Sequence, residues 1–141
     1  MKIIVLIPVY NDWKSVFKLL DEINDLSLED GFQLSVLIVN DASNFDRQEI
    51  EKSYENIKSI KIVNMKKNFG HTRCIATGLK YIFEKVQFDY VIPMDGDGED
   101  RPKEIIGFLE KIKVSGEKPI VGERVKRSES MMFKICYQLH K

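Results

Sequence analysis

The chain is organised around Met94-Asp95-Gly96-Asp97-Gly98-Glu99-Asp100. It follows Tyr90-Val91-Ile92-Pro93, a short apolar run that predicts a buried strand. Four acidic residues and two glycines therefore come just after a strand ends. Carboxylate oxygens are the ligands that Mg²⁺ and Mn²⁺ prefer, and such an ion in turn binds a diphosphate. Asp and Gly are also ordinary turn residues, so this stretch alone fits a solvated acidic turn equally well.

The composition is that of one globular domain. The chain has 141 residues, of which 43% are hydrophobic and 31% are charged, as in folded proteins of single-domain size. Lys and Arg together number 22, as do Asp and Glu, so the formal net charge is zero. A balanced charge argues against a general nucleic-acid binder, and no nucleic-acid partner is expected.

Two further features predict a cytoplasmic protein. Cys74 and Cys136 have neither metal-ligand spacing nor the number needed for a disulfide framework, so we expect free thiols in a reducing compartment. The apolar run at residues 3–7 ends at Pro8 and is too short for a signal peptide or a membrane span.

Strand and helix patterns alternate along the chain. Apolar runs predict strands at residues 2–7, 34–39, 60–65, 90–94 and 119–122. Helices are predicted over about 12–23, 46–54, 71–85, 102–115 and 130–140, the second of them only weakly amphipathic. In the third helix, the buried face is predicted to consist of Ile75, Leu79, Ile82 and Phe83. This alternation predicts an α/β fold with a mostly parallel sheet and helices on both faces.

Polar loops follow four of the predicted strands, at residues 8–12, 40–44, 66–70 and 95–100. Ligands of parallel sheets bind at the carboxyl ends of the strands, so these loops are expected to converge on one site. That convergence favours a metal and diphosphate site over a plain acidic turn. Asp95 and Asp97 can direct two carboxylates at one ion, and Glu99 can add a third oxygen. Gly96 leaves room for a sugar or phosphate beside the backbone.

The other loop residues each have a functional and a structural interpretation. Tyr10 can stack on a base or complete the packing of the first strand. Asp41 can accept a hydrogen bond from a base, or it can close an Asx turn or cap a helix. Gly70 opens a helix whose amides can face an anion, or it simply starts that helix. Arg124 and Arg127 match phosphate oxygens or form a solvated basic face.

The sequence motifs of several other kinds of active or binding site are missing from this chain. There is no G-x-x-x-x-G-K-[ST] loop and no G-x-G-x-x-G after the first strand, so P-loop and Rossmann dinucleotide sites are unsupported. No Ser or Cys stands in a recognisable nucleophile elbow. His71 and His140 have no partner spacing and are interpreted as structural or surface residues.

Four ordered motifs resemble a known family. They are Ile7-Pro8-Val9-Tyr10-Asn11-Asp12, Val39-Asn40-Asp41-Ala42-Ser43, Lys67-Asn68-Phe69-Gly70 with Ala76 and Gly78-Leu79, and Met94-Asp95-Gly96-Asp97. Together they resemble the N-terminal half of a family 2 glycosyltransferase with the GT-A (Rossmann-like) fold, and most of all a polyprenyl-phosphate sugar transferase of the dolichol-phosphate type. The resemblance implies a UDP- or GDP-linked sugar donor and Mg²⁺ or Mn²⁺ as cofactor.

The resemblance also implies roles for individual residues. The nucleotide pocket would be lined by Pro8, Tyr10, Asn11 and Asp12, and the base would be recognised by Asp41. The DxD motif would be Asp95 and Asp97, with Asp97 the direct metal ligand and Glu99 a second one. Arg124 and Arg127 resemble basic residues of a loop that closes over the donor phosphates.

Several positions depart from the family pattern, among them Glu99, which stands where Gln is usual and adds a negative charge. Asp12 stands where Glu is usual, and Asn40 where Asp is common. Ala42 stands where Gly is usual, so that turn is expected to be tighter or shifted.

Family members continue well beyond the length of this chain, which ends at Lys141. We therefore expect residues 1–123 to form a nucleotide-sugar-binding subdomain that is truncated on its C-terminal side. Residues 124–141 would form a basic loop and a C-terminal helix at the start of a missing acceptor half. The apolar stripe of that helix, Met132, Ile135, Cys136 and Leu139, would pack on a second copy in a homodimer or fold back on the sheet.

The predicted function is transfer of a sugar, with inversion, from a nucleoside diphosphate sugar to an acceptor. The resemblance makes that acceptor a polyprenyl phosphate, at the cytoplasmic face of a membrane. No catalytic base can be identified, so a truncated nucleotide-binding module without catalysis is the alternative. A sugar-nucleotide nucleotidyltransferase also uses Asp ligands, but its Gly-rich loop with Arg or Lys is missing after the first strand.

Overall fold

The computed structural model describes residues 1–44, 52–115 and 119–122. Strands and helices alternate along these residues as predicted, except that β2 is followed directly by β3 within the described part of the chain. They are β1 (Lys2–Val9), α1 (Trp13–Asn24), β2 (Gln33–Asn40), β3 (Ile57–Asn64), α2 (His71–Lys85), β4 (Tyr90–Pro93) and α3 (Glu104–Ser115). None of the helices in these ranges is long and apolar enough to cross a membrane.

One parallel sheet organises the described residues. Its strand order is β3–β2–β1–β4. Each neighbouring pair is parallel, and β1 and β2 pair along their whole length, from Lys2 opposite Gln33 to Val9 opposite Asn40. All four strands therefore end at the same edge, which confirms the predicted parallel sheet.

Helices cover both faces of this sheet. Successive side chains of a strand point to opposite faces. Val5 of β1 belongs to the cluster that includes Leu20 of α1 and Ile105 of α3, whereas Leu6 packs in the cluster that includes Ile82 of α2. Because β1 is buried on both faces, residues 3–7 are an unbroken apolar run.

The first strand extends two residues beyond its predicted end. Pro8 and Val9 still pair with Val39 and Asn40 of β2. On the other side, β4 pairs with β1 only as far as Leu6. The missing N–H of Pro8 therefore interrupts no ladder, which is the condition under which a strand tolerates proline.

The buried face of α2 differs from the predicted one. Its buried residues are Cys74, Gly78 and Ile82, whereas Leu79 is 41% exposed and Phe83 is 82% exposed. Gly78 explains the difference, because without a side chain it lets the helix approach the sheet closely. The helix therefore rotates toward its glycine, and the prediction for Leu79 and Phe83 was wrong.

Two predicted elements also differ from the structure. Residues 119–122 form no strand, and Ile120 packs against the core without pairing, next to Pro119, which has no N–H for a ladder. Residues 52–54 are not helical. Instead, the Lys52 ammonium group donates to the Asp21 carboxylate at 2.6 Å. This bond connects the segment before β3 to α1. The rest of that predicted helix and residues 130–140 lie outside the described residues.

Candidate functional site

A pocket of about 290 Å³ lies at the edge where the strands end. Its lining consists of Pro8, Val9, Tyr10, Asp12, His71, Asp95, Gly96 and Asp97. They come from the end of β1 and the turn after it, the start of α2, and the loop after β4. The structure thus brings six of the predicted site residues to one place. Asn11, Asp41, Gly70 and Glu99 do not line this pocket.

The turn after β1 is locked to the turn after β2. Asn11 has a positive φ of 60°. Its backbone N–H donates to Ser43 Oγ at 2.9 Å, and its side-chain oxygen accepts from the Asn44 N–H at 2.7 Å. The Tyr10 hydroxyl accepts from the Asn44 side chain at 3.3 Å. Asn11 therefore supports the pocket from outside, while the 46% exposed ring of Tyr10 keeps a face for a planar ligand.

Asp12 ends this turn and begins the first helix. Its carboxylate accepts from the Ser15 N–H at 3.2 Å, which makes it the N-cap of α1. The cap holds one carboxylate oxygen and leaves the residue on the pocket wall. Asp12 thus has a structural role that does not exclude the predicted contact with a nucleotide.

Ala42 keeps the left-handed conformation that glycine usually supplies. Its φ is 57°, which costs an alanine about 1–2 kcal/mol relative to the right-handed region. The neighbouring Ser43 N–H and hydroxyl both bond to Asn40 Oδ1, at 3.0 and 2.6 Å. These two bonds hold the turn in its strained conformation.

Asp41 is buried behind the pocket. It is 3% exposed, and its two oxygens accept from the Phe69 N–H at 2.9 Å and from the Gly70 N–H at 2.8 Å. A buried carboxylate needs such partners, so Asp41 ties the turn after β2 to the start of α2. The Gly70 amide is thereby bonded within the protein rather than directed at an anion. The base contact implied for Asp41 by the resemblance stays a prediction.

The acidic loop after β4 is held at three points. The Asp95 N–H donates to Asp100 Oδ2 at 2.9 Å, and Asp97 Oδ1 accepts from the Glu99 N–H at 2.9 Å. Gly96 packs so closely on β1 that a Cβ built there would lie 2.7 Å from the Pro8 carbonyl oxygen. The glycine is therefore required for packing, and it brings Asp95 and Asp97 to the pocket.

Asp95 and Asp97, two of the four acidic residues of this loop, are the side chains that could hold a divalent cation shared with a ligand. Among the described residues no three His, Cys, Asp or Glu side chains are grouped as a complete metal site. Mg²⁺ needs no such group, because it is usually held by one or two carboxylates together with phosphates and water. Asp95 and Asp97 meet that requirement on the pocket wall. Glu99 is placed beside them through its backbone, and its predicted role as a ligand stays a prediction.

His71 is a pocket residue that sequence reasoning missed. Its Nε2 lies 2.8 Å from Asp95 Oδ1, and its ring lines the pocket. The interpretation of His71 as a structural or surface residue was based on the absence of a partner at regular spacing. The signal that would have found it is position, since it directly follows the Gly70 loop at the ligand edge of the sheet.

Cys74 lies under the site in a fully buried position. Its thiol donates to the Val39 carbonyl oxygen at 3.2 Å. Burial, with a smaller contribution from the negative charge of Asp41, raises the pKa of this thiol to about 11. Cys74 is a free cysteine, as predicted, and it is a packed and protonated group rather than a nucleophile.

The raised pKa of Cys74 gives a testable pH dependence of stability. An unfolded thiol ionises near pH 8.5, whereas the buried thiol stays protonated up to about pH 11. The contribution of the buried thiol to the free energy of unfolding is therefore complete below pH 8.5 and is lost as the pH rises through about 11. We expect the urea midpoint of the wild type to fall more between pH 8 and pH 10.5 than that of Cys74→Ala. If the urea midpoints of the two proteins fell equally with pH, burial would not raise the pKa of this thiol.

Three groups of predicted features lie outside the described residues. They are Arg124 and Arg127, which were predicted to bind phosphate, the C-terminal stripe (which includes Cys136) with its predicted homodimer contact, and His140. The predicted division at residue 123 falls there too.

The chain is similar to known proteins of one family. Residues 4–134 match the sequence model of the family described as glycosyl transferase family 2. The chain is 28% identical over 131 residues to the uncharacterized glycosyltransferase YkcC of Bacillus subtilis, covering 92% of this chain and 39% of that protein. It is 30% identical over 112 residues to an undecaprenyl-phosphate 4-deoxy-4-formamido-L-arabinose transferase of Klebsiella pneumoniae, covering 78% of this chain and 33% of that protein.

A solved structure shares the fold. The crystal structure of Staphylococcus aureus TarS 1–349 superposes with a TM-score of 0.64 and 22% identity, over 91% of this chain and 39% of that one. The chain thus spans well under half the length of these three relatives. With its match from residue 4 to residue 134, its parallel sheet and its site at the carboxyl edge, the chain belongs to glycosyl transferase family 2 and has the GT-A fold.

Proposed function

We propose that the pocket binds the nucleoside diphosphate portion of a sugar donor, for transfer of the sugar with inversion to an acceptor. The observation on which this proposal rests most is the joint presence of Asp95, Asp97 and the exposed ring of Tyr10 in one pocket. An aromatic ring fits a base, and paired carboxylates fit a metal-bound diphosphate. Crystals of S. aureus TarS 1–349 in complex with UDP and with UDP-GlcNAc support the same class of ligand.

In this proposal Asp97 is the direct ligand of Mg²⁺ or Mn²⁺, and Asp95 stands beside it. When bound, such an ion offsets the charge of the diphosphate and stabilises it as a leaving group. Without the ion, the carboxylates of Asp12, Asp95 and Asp97 would repel an anionic ligand. The binding of donor and metal is therefore expected to be mutually dependent.

A polyprenyl phosphate is the proposed acceptor. The name of the Klebsiella relative supports this class of acceptor. A phosphate monoester is ionised at neutral pH, so its oxygen can attack the anomeric carbon without a protein base. That chemistry fits a pocket in which we assign no base. In the step, the new bond forms from the phosphate oxygen to the anomeric carbon while the bond to the diphosphate breaks.

The second candidate is a nucleotide-binding module that has no catalytic activity. The chain covers only 33–39% of its Klebsiella and Bacillus relatives, so elements that hold the acceptor would have to come from other residues. The pocket volume of about 290 Å³ is also at the lower limit for small-molecule sites. Both observations fit a site that holds only the donor.

Calorimetry and a turnover assay together test the proposal. We expect UDP or GDP, and one of their sugars, to bind in the presence of Mn²⁺. Asp97→Asn, which changes the proposed direct ligand, should weaken that binding by at least the roughly 10- to 100-fold that is typical for loss of an outer-shell partner. Asp30→Asn is the control, because Asp30 lies in the loop before β2, at the opposite edge of the sheet. Binding with sugar transfer supports the enzyme, binding without transfer supports the module, and failure of every nucleotide to bind would reject both.

A further inference from the structure

The contact between His71 and Asp95 joins two separate elements. His71 is the first residue of α2, and Asp95 lies in the loop after β4, 24 positions later in the chain. The imidazole Nε2 and the carboxylate Oδ1 are 2.8 Å apart. This contact connects two walls of the pocket.

Stability does not explain this contact. The side chains of His71 and Asp95 are 57% and 46% exposed. Exposed pairs of this kind contribute little to the stability of a fold. Loss of the imidazole is therefore expected to leave the fold intact, and its effect should appear in the orientation of Asp95.

The backbone that leads into His71 is rigidly held. The N–H groups of Phe69 and Gly70 donate to the buried carboxylate of Asp41, and Gly70 has a positive φ of 87°. His71 follows directly, so the backbone from which its imidazole extends is fixed by a buried anchor. A rigid donor can hold the side chain that it contacts in one orientation.

Asp95 and Asp97 of the acidic loop each have one carboxylate oxygen in a hydrogen bond. Asp95 Oδ1 is bonded to His71, and Asp97 Oδ1 is bonded to the Glu99 N–H. Within the ranges that the structure describes, neither Oδ2 atom accepts a hydrogen bond. Each residue thus offers one oxygen to a ligand, and only the orientation of Asp95 depends on a side chain.

We propose that His71 is a positioning residue, which donates Nε2–H to Asp95 Oδ1 and so presents the second oxygen of Asp95 to the metal and diphosphate beside Asp97. This inference rests on the proposed function. Partners that orient metal-binding groups typically matter by about 10- to 100-fold in metal affinity when they are removed. We expect that range for His71, although it contacts no metal itself.

The test compares His71→Ala with His71→Gln by electron paramagnetic resonance of free Mn²⁺, titrated with protein in the presence of UDP. We expect His71→Ala to lose about 10- to 100-fold in Mn²⁺ affinity. The Gln amide retains an N–H donor near the position of Nε2, so His71→Gln should recover most of that loss. Melting temperatures should agree with the wild type. Lys80→Ala is the control, because it removes another exposed partner of a carboxylate, Glu84, from the same helix.

Each outcome leads to a different conclusion. A wild type that binds Mn²⁺ with UDP, together with a His71→Ala variant within twofold of it, would overturn this inference and leave the proposed function standing. Equal losses in His71→Ala and His71→Gln would overturn it too, because the donor would then not matter. A large drop in melting temperature would show a structural role instead. A wild type that binds neither Mn²⁺ nor UDP would overturn the proposed function itself.

Discussion

Gly96→Ala is expected to lower the affinity for UDP in the presence of Mn²⁺ by about 10- to 100-fold, the range by which loss of ligand orientation lowers metal affinity. The added Cβ would lie 2.7 Å from the Pro8 carbonyl oxygen and 3.3 Å from Val16 Cγ2. A carbonyl at the end of a central strand cannot move aside, so the acidic loop must move. Asp95 and Asp97, on either side of Gly96, would move with it. Isothermal titration calorimetry measures the loss.

Gly107→Ala is the matched control for this variant. It is the same substitution in α3, where nothing lies within 4 Å of the added Cβ, and it should leave the affinity for UDP unchanged. A Gly96→Ala protein that binds UDP and Mn²⁺ as tightly as the wild type would contradict the close packing of the acidic loop on β1.

Gly78→Ala is expected to destabilise the fold by about 2 kcal/mol, and so to lower the melting temperature by about 5–10 °C. The added Cβ would lie 2.4 Å from Leu6 Cδ1 and 2.9 Å from Val39 Cγ2, both in the buried core. Overpacking of this kind costs about 1–3 kcal/mol or more. The better helix propensity of alanine offsets only about 1 kcal/mol of that cost.

Gly107→Ala is again the control, and here its expected change in stability has the opposite sign. In an exposed helical position without close neighbours, alanine should stabilise the protein by about 0.5–1 kcal/mol. Chemical unfolding followed by circular dichroism measures both variants. If Gly78→Ala were as stable as Gly107→Ala, then α2 would not approach the sheet as closely as the structure shows.

The parallel sheet could be predicted because the amino-acid composition of its central strand is typical of very few other structures. The run from Ile3 to Ile7 is apolar at every position, and a strand buried on both faces is the element that requires this pattern. Once the strands alternate with helices, the sheet is parallel and the loops meet at one edge. The location of the pocket follows from that geometry.

The face of α2 could not be predicted from hydrophobicity. Leu79 and Phe83 are the larger apolar residues, but Gly78 determines how near the helix lies to the sheet. Distance between elements is a tertiary property, and an apolar pattern along one helix does not contain it. Residues that contact the sheet can therefore be small, while large ones remain exposed.

Some residues of the candidate site could be predicted from the sequence, and others could not. The carboxylates Asp95 and Asp97 could be predicted from residue type and spacing after a strand. His71 could not, because its partner is distant in sequence and a lone histidine has no pattern. For Asp41, the sequence predicts a base contact or, as the structural alternative, an Asx turn or a helix cap. The structure shows a buried carboxylate that accepts hydrogen bonds from the Phe69 and Gly70 amides just before α2. That contact between distant loops could not be predicted from local spacing, and the base contact stays a prediction.

The most direct test of the central claim is the anomalous difference density of manganese in crystals of this chain soaked with Mn²⁺ and UDP. We predict a manganese peak about 2.1 Å from a carboxylate oxygen of Asp97, with the diphosphate on its other side and the base beside Tyr10. A peak remote from the acidic loop, or UDP bound outside the pocket between Tyr10 and Asp97, would contradict the account.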